Sequence, residues 1–175
     1  MLGNINMSDL DPKIYIREYK RDDSVETGIL IADMYWKYNL GHIADEEKEK
    51  YLGGFFYCRS SDEKDMERIE ELIKAPYVYI AVVSGRIAGV LRGSLGRLHS
   101  LFVHEDFHRN GIGGRLVRKF EEVNISNRVM KITLAASLYA VPFYEAVGYK
   151  RSTGIRRSNS FGGADFHIQP MKKIL

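Results

Sequence analysis

Residues 97–136 run in unbroken succession through an apolar strand, a polar loop, a glycine turn, an amphipathic helix and a second apolar strand. Leu98, Leu101, Phe102 and Val103 mark the first strand, over 97–103. Ile112, Leu116, Phe120 and Val123 line one face of a helix over 111–124, and 130–136 is the second strand. Two strands joined through a helix lie parallel, with a right-handed crossover. Just upstream, 77–83 is a continuous apolar run, Ser84-Gly85-Arg86 is a turn and 87–91 returns, which is a β-hairpin and therefore antiparallel. The chain must hold both kinds of pairing in one mixed α/β sheet, with helices on both faces.

The flanks add to this frame. A first strand is expected over 14–19 and a helix after Asp22 or Asp23. There Asp23 and Glu26 form a capping-box pattern and Val25, Ile29, Ala32 and Trp36 form one face. A polar helix follows over 45–51. A third opens on a second capping box, Ser60 with Glu63, carries Met66, Ile69, Leu72 and Ile73, and ends before Pro76. Downstream, a short helix over 139–147 stops at Gly148, the expected left-handed residue. Two closing strands, 149–157 and 164–172, enclose Phe161-Gly162-Gly163. Residues 1–13 read as a loose leader and 14–175 as one domain, since no repeat, low-complexity block or Pro/Gly/Ser linker divides them.

Composition removes several function classes. At 45% hydrophobic and 28% charged, a chain of 175 residues is not disordered throughout. Its one cysteine, Cys58, permits neither an internal disulfide nor a thiolate zinc cluster, and no metal site is expected. Lys plus Arg number 26 against 23 Asp plus Glu. That excess is too small to indicate nucleic acid, yet it suits a small anionic ligand. No run reaches the ~18 apolar residues of a membrane helix, and the first residues lack the basic and long apolar regions of a signal peptide. A cytoplasmic protein without membrane contact is expected.

The loop carries Gly111, Gly113 and Gly114 in the first turn of its helix. A helix N-terminus presents unpaired N–H groups and the positive end of the dipole. Glycine lets an anion reach them without a Cβ in the way. Taken alone, the three glycines fit a tight turn as well as a phosphate cradle. Two familiar phosphate loops are excluded. G-x-G-x-x-G counted from Gly111 places Leu116 at its last glycine, and the Gly-Lys pair of a Walker loop occurs nowhere.

Phe107-His108-Arg109-Asn110-Gly111-Ile112-Gly113-Gly114-Arg115-Leu116-Val117 resembles motif A of the GNAT acetyltransferase superfamily: Gln or Arg, two residues, Gly, one residue, then Gly or Ala. Gly111 and Gly113 match; His108 stands where the family has Gln or Arg. Ala140-Val141-Pro142-Phe143-Tyr144-Glu145-Ala146-Val147-Gly148-Tyr149 resembles motif B, with Ser137 seven residues before Tyr144 where the family often has Asn. The resemblance spans 14–175, is specific over 98–149 and is loose before 77.

The resemblance implies a GNAT fold, a mixed, mostly antiparallel sheet whose central parallel pair, 97–103 and 130–136, splays apart. Acetyl-CoA, a co-substrate, would lie in the splay. The main chain of Leu101, Phe102 and Val103 would line its pantetheine arm, which pairs as a short pseudo-strand. The loop from His108 through Arg109, Asn110, Gly111, Ile112, Gly113 and Gly114 would hold the pyrophosphate, with Ser137 across the splay. Tyr144 matches the tyrosine that protonates the leaving thiolate, and a phenol with pKa of about 10 keeps its proton at neutral pH. By position alone, a helix tyrosine is an ordinary packing residue. His99 sits where a catalytic histidine stands in the serotonin N-acetyltransferase branch, and its ordinary pKa of about 6.5 suits a general base. Two residues before Leu101, it should share a face with Arg97 and Leu101. A hydrogen-bonded strand histidine without chemistry fits as well.

Arg115, Arg118 and Lys119 read as a solvated helix face paired with Glu121 and Glu122. Tyr35, Trp36, Tyr38, Phe55, Phe56 and Tyr57 either line an aromatic acceptor pocket or are ordinary core and surface aromatics. The function implied is direct acetyl transfer in a ternary complex to a primary amine, a small molecule or a peptide N-terminus, by a monomer or homodimer. The alternatives are a non-catalytic acyl-CoA-binding regulator, against which Tyr144 argues, and a nucleic-acid module, against which the charge balance argues.

Overall fold

The computed structural model describes residues 14–175, so the leader over 1–13 lies outside the described residues. The sheet has eight strands. They are β1 (Ile14–Glu18), β2 (Tyr77–Val83), β3 (Arg86–Ser94), β4 (Arg97–Val103), β5 (Lys131–Ser137), β6 (Lys150–Arg151), β7 (Arg156–Ser158) and β8 (Phe166–Ile174). The order is β1-β2-β3-β4-β5-β8-β6, with β7 also on β8. Every pairing is antiparallel except β4 with β5.

Helices cover both faces because β2 buries both. Ile80 and Val82 join a core under α1 (Ser24–Met34), α2 (Asp45–Leu52) and α3 (Glu63–Ile73). Tyr79, Ala81 and Val83 join a second core under α4 (Ile112–Ser126) and α5 (Val141–Ala146). A run of β-branched and aromatic residues with no polar alternation fits a strand covered on two sides. Pro170 sits mid-strand in β8 opposite Ala135, and its carbonyl accepts from Ser152 N at 3.0 Å. Its main-chain groups therefore face the short β6 side, where a missing N–H breaks few ladder bonds.

Local expectations gave way where a tertiary partner was stronger. The Asp23 carboxylate does not cap α1; it takes both Arg17 guanidinium nitrogens at 2.6 and 2.7 Å and Lys20 N at 2.7 Å. Glu26 reaches across to Ile87 N in β3 at 2.8 Å. Asp62, not Ser60, caps α3 by accepting from Lys64 N at 2.9 Å. Val25 and Met66, assigned to apolar faces, are exposed. The short helix begins as a 3₁₀ turn, Leu138–Ala140, before α5, which has Pro142 in its first turn. The expected strand over 149–157 is broken into β6 and β7, both on β8.

Candidate active site

β4 and β5 pair at one position, Arg97 with Thr133, where Thr133 N donates to Gly96 O at 2.9 Å. Beyond it they part. A narrow cleft opens between them, walled by Ser100, Leu101 and Phe102 on one side and Ala135, Ala136 and Ser137 on the other. The β3–β4 register shifts between Arg92 and Gly93, so that Ser100 faces Arg92 and Leu98 faces Gly93, with His99 as the extra residue. Such a bulge bends its strand and adds twist. The strands separate just past it.

The gap edge of β4 offers main-chain groups. His104 N donates to Ala88 O in β3 at 2.9 Å. By alternation, Phe102 also bonds toward β3, while Leu101 and Val103 turn their N–H and C=O toward the gap. The Val103 carbonyl is taken there by His108, whose Nε2 lies 2.8 Å away. The same logic from Thr133 turns Ala135 and Ser137 toward the gap from β5. Of the three residues expected to act through their backbone, Leu101 and Val103 thus face the cleft with main-chain atoms. Phe102 contributes its ring to the first core instead.

In the loop that follows β4, Arg109 and Gly111 have φ of 64° and 75°. The chain turns through two left-handed residues and enters α4 with the N–H groups of Ile112, Gly113 and Gly114 outside the helical ladder, whose first bond is Arg115 N to Gly111 O. Ile112 anchors the turn from below, buried in the second core. A Cβ on Gly111 would meet nothing within 4 Å, whereas one on Gly113 would meet the Phe143 ring at 3.0 Å. Gly111 borders open space; Gly113 lets the helix seat against α5. Asn110 is exposed beside them. Open N–H groups, an accessible glycine and a free strand edge, in succession along the chain, suit a phosphate carrying an amide-rich arm. The His108 Nε2 is bound to the Val103 carbonyl, and its ring lies 5.2 Å from that of Tyr38.

Tyr144 lines the cleft opposite β4, its ring held edge-on by Phe143 and Tyr149 at 5.2 and 5.7 Å. Burial pushes its phenol well above the ordinary value, and its hydroxyl has no hydrogen-bond partner among the described residues. The group is a held proton facing the cleft. His99 also lines the cleft, with Nε2 3.0 Å from Ser94 Oγ. Desolvation and then the charges of Arg92 and Arg97 hold its imidazole below the ordinary 6.5, so it is neutral at pH 7. It shares a face with Arg97, as alternation predicts. Leu101 packs in the opposite core with Leu98, three residues away, because the bulge reverses the alternation. Ser137 is buried at the end of β5 and lines the cleft without capping the turn that follows.

Other expectations are redistributed. Arg115 reaches Ile14 O at 3.5 Å, away from the loop. Glu121 binds Lys173 at 2.8 Å, and of the proposed pairs only Lys119 with Glu122 forms, at 3.9 Å. Among the six aromatics, Tyr35 lines the cleft, and Asn39 joins it from the same π-helical turn, Tyr35–Asn39. Phe55 is core, while Phe56 and Tyr57 are exposed. Three contributors carry no sequence signal: Ser160 and Phe161, which line the cleft from the β7–β8 loop, and Arg92, buried behind Ser100. A glycine inside a strand, Gly93, is the one available hint of the bulge.

The arrangement of a mixed sheet parted at its parallel pair, with a glycine cradle at one end, defines a fold shared with acetyltransferases. It is similar to a GCN5-related N-acetyltransferase from Rhodopseudomonas palustris at 19% identity and TM-score 0.74, covering 94% of this chain and 96% of that one. It is similar to the PaiA N-acetyltransferase from Thermoplasma acidophilum, solved with coenzyme A, at 20% identity and TM-score 0.66, covering 93% and 99%. An aminoglycoside 6'-N-acetyltransferase complexed with coenzyme A gives 18% identity and TM-score 0.60, covering 91% and 96%. No curated protein matches the sequence. The profile of the acetyltransferase (GNAT) domain matches residues 43–175, and the chain belongs to that family.

Proposed function

We propose that the protein is an acetyl-CoA-dependent N-acetyltransferase that acts on a primary amine by direct attack in a ternary complex. One observation carries this reading: the parted edge of β4, Tyr144 and His99 line one cleft, and β4 runs on through a short loop into the open N–H groups of α4. Acetyl-CoA, when bound, supplies an activated acyl carbon as its thioester. The chain's part is to hold it and to move two protons.

Arg109 to Gly114 would receive the pyrophosphate on backbone N–H groups, and Leu101, Val103, Ala135 and Ser137 would pair with the amide-rich arm. The unpaired N–H groups of β4 stand ready to stabilise negative charge on the acyl oxygen. His99 takes a proton from the amine at a ring nitrogen, being neutral at pH 7. Tyr144 gives the proton of its hydroxyl to the departing sulfur and is kept protonated by burial. Cys58 is buried and its thiol is pushed up, first by desolvation, which suits a packing residue and not an acyl carrier. No helix of the described residues is long and apolar enough to cross a membrane.

The test is a panel of amines with acetyl-CoA, scored by thiol release, beside calorimetry with CoA alone. Binding with turnover on some amine is expected. Binding without turnover on any amine would favour a CoA-binding regulator.

A further inference from the structure

We infer that the acceptor amine carries a carboxylate, and that Arg92 is the residue that selects it. The inference rests on the acetyl-transfer reading and adds the acceptor's chemical class. Arg92 projects from β3 toward the face that holds His99 and Ser100, and is 8% exposed. Its Nε donates to Ile73 O at 2.7 Å at the end of α3. Its two terminal nitrogens reach only Ser100 Oγ and Lys74 O, each at 3.4 Å. Phe161 covers the guanidinium at 5.5 Å. No carboxylate of the described residues pairs with it.

A buried cation is costly unless an anion answers it. The partial negative charge at the end of α3 answers the Nε edge. The terminal nitrogens, a planar fork suited to a carboxylate, are left with two long contacts. Burial alone lowers the guanidinium to about 10, as expected of a cation without a counter-ion. Both neighbours of the fork, Ser100 and Phe161, line the cleft and Arg92 stands behind them, so an acceptor carboxylate reaches the fork by passing between these two side chains.

The rest of the cleft agrees in sign. Among the described residues its lining contains no Asp or Glu. Glu105, a nearby carboxylate, is occupied by Lys37 and by the Tyr38 hydroxyl at 3.1 Å. Arg97 lies exposed at the rim on the His99 face. A polycation would find no partner there, and two arginines beside the base would oppose it. An amine joined to a carboxylate brings the missing anion, placing it on the fork while the nitrogen remains near His99.

The experiment compares matched pairs with saturating acetyl-CoA: phenylalanine with phenethylamine, 4-aminobutyrate with butylamine, and spermidine as a polycation. kcat/KM should favour the acid in at least one pair by about tenfold or more, with spermidine poorest. Arg92→Lys keeps a charge but loses the fork, and the ratio within that pair should fall toward one. A loss that came only from a loosened α3 would lower both members alike and leave the ratio intact. Ratios at or below one in the wild type would overturn the inference while leaving acetyl transfer standing. If no member turns over, calorimetry of the same pairs on the CoA-loaded protein decides, and equal or absent binding of the acids overturns it. Failure to bind CoA at all would instead overturn the underlying reading.

Discussion

Deleting one oxygen from Tyr144 should separate stability from activity. The ring sits in the second core between Phe143 and Tyr149, and Tyr144→Phe keeps all of it. The hydroxyl has no hydrogen-bond partner among the described residues, so the substitution breaks none of the bonds that are worth about 0.5–1.5 kcal/mol each. Folding stability should change by less than about 1 kcal/mol, whereas removing the whole ring would cost about 3–5 kcal/mol. Turnover is another matter, because a positioned acid contributes about 10²–10⁴-fold. At least about 100-fold should be lost, some 2.7 kcal/mol of transition-state stabilisation. CoA affinity should hardly move. Tyr149→Phe is the internal control: its hydroxyl is also buried, with no hydrogen-bond partner among the described residues, but it does not line the cleft. Chemical denaturation and thiol release, with chemistry rate-limiting, measure both quantities. Wild-type turnover in Tyr144→Phe would reduce the residue to packing. An equal loss in Tyr149→Phe would show that the effect is packing and not proton transfer.

The cradle is best probed at Gly111, where an added side chain meets no atom; the φ of 75° costs about 1–2 kcal/mol in stability. Gly111→Glu should weaken CoA binding at least about tenfold by calorimetry, near 1.4 kcal/mol; unchanged affinity in the folded variant would remove the loop from the site. If His99 is the base, the rate rises with pH through a limb below 6.5, since its surroundings favour the neutral ring. His99→Gln should flatten that limb with the same acceptor, and a limb that persists unshifted assigns the proton elsewhere. The Arg17 guanidinium, chiefly, holds the Asp23 carboxyl below its ordinary 3.8. The stabilisation is therefore complete above that value and lost as pH falls through the lowered one. Asp23→Asn should be less stable by about 1–3 kcal/mol near neutral pH, the range for charged hydrogen bonds. Denaturant midpoints should show the gap closing in acid, and a gap independent of pH would refute the assignment.

The backbone features of the proposed cofactor site were legible because they are properties of the main chain. A strand edge, a left-handed turn and unpaired helix N–H groups need particular backbone conformations, and glycine at 111 and 113 reports them directly. The hairpin, the crossover and the strand over 97–103 were readable for the same reason: period and turn residues are local. The helix caps misled because local side-chain bonding competes with tertiary partners. Asp23 met Arg17 and Glu26 met a strand amide, and neither partner is visible in a four-residue window. The bulge at His99 is a shift of register between strands, which no periodicity within one strand encodes. It is also what separates the faces of His99 and Leu101.

The proposed acceptor half was illegible for a different reason: its parts come from distant segments held by backbone docking. Residues 160–164 lie against the end of α2, with Ala164 N bonded to Lys50 O at 2.8 Å. A Cβ on Gly163 would stand 2.2 Å from Tyr51 O, so only glycine permits that approach. The docking delivers Phe161 among Tyr35, Phe55 and Phe102, beside Arg92 and into the cleft. Two adjacent glycines between strands look like an ordinary turn until the surface they meet is known. A backbone shape of this kind can be shared by chains at 20% identity, since it asks for few particular side chains. The proposed acceptor wall asks for particular side chains brought together from 35, 92 and 161, and these are free to differ from one member of the fold to the next.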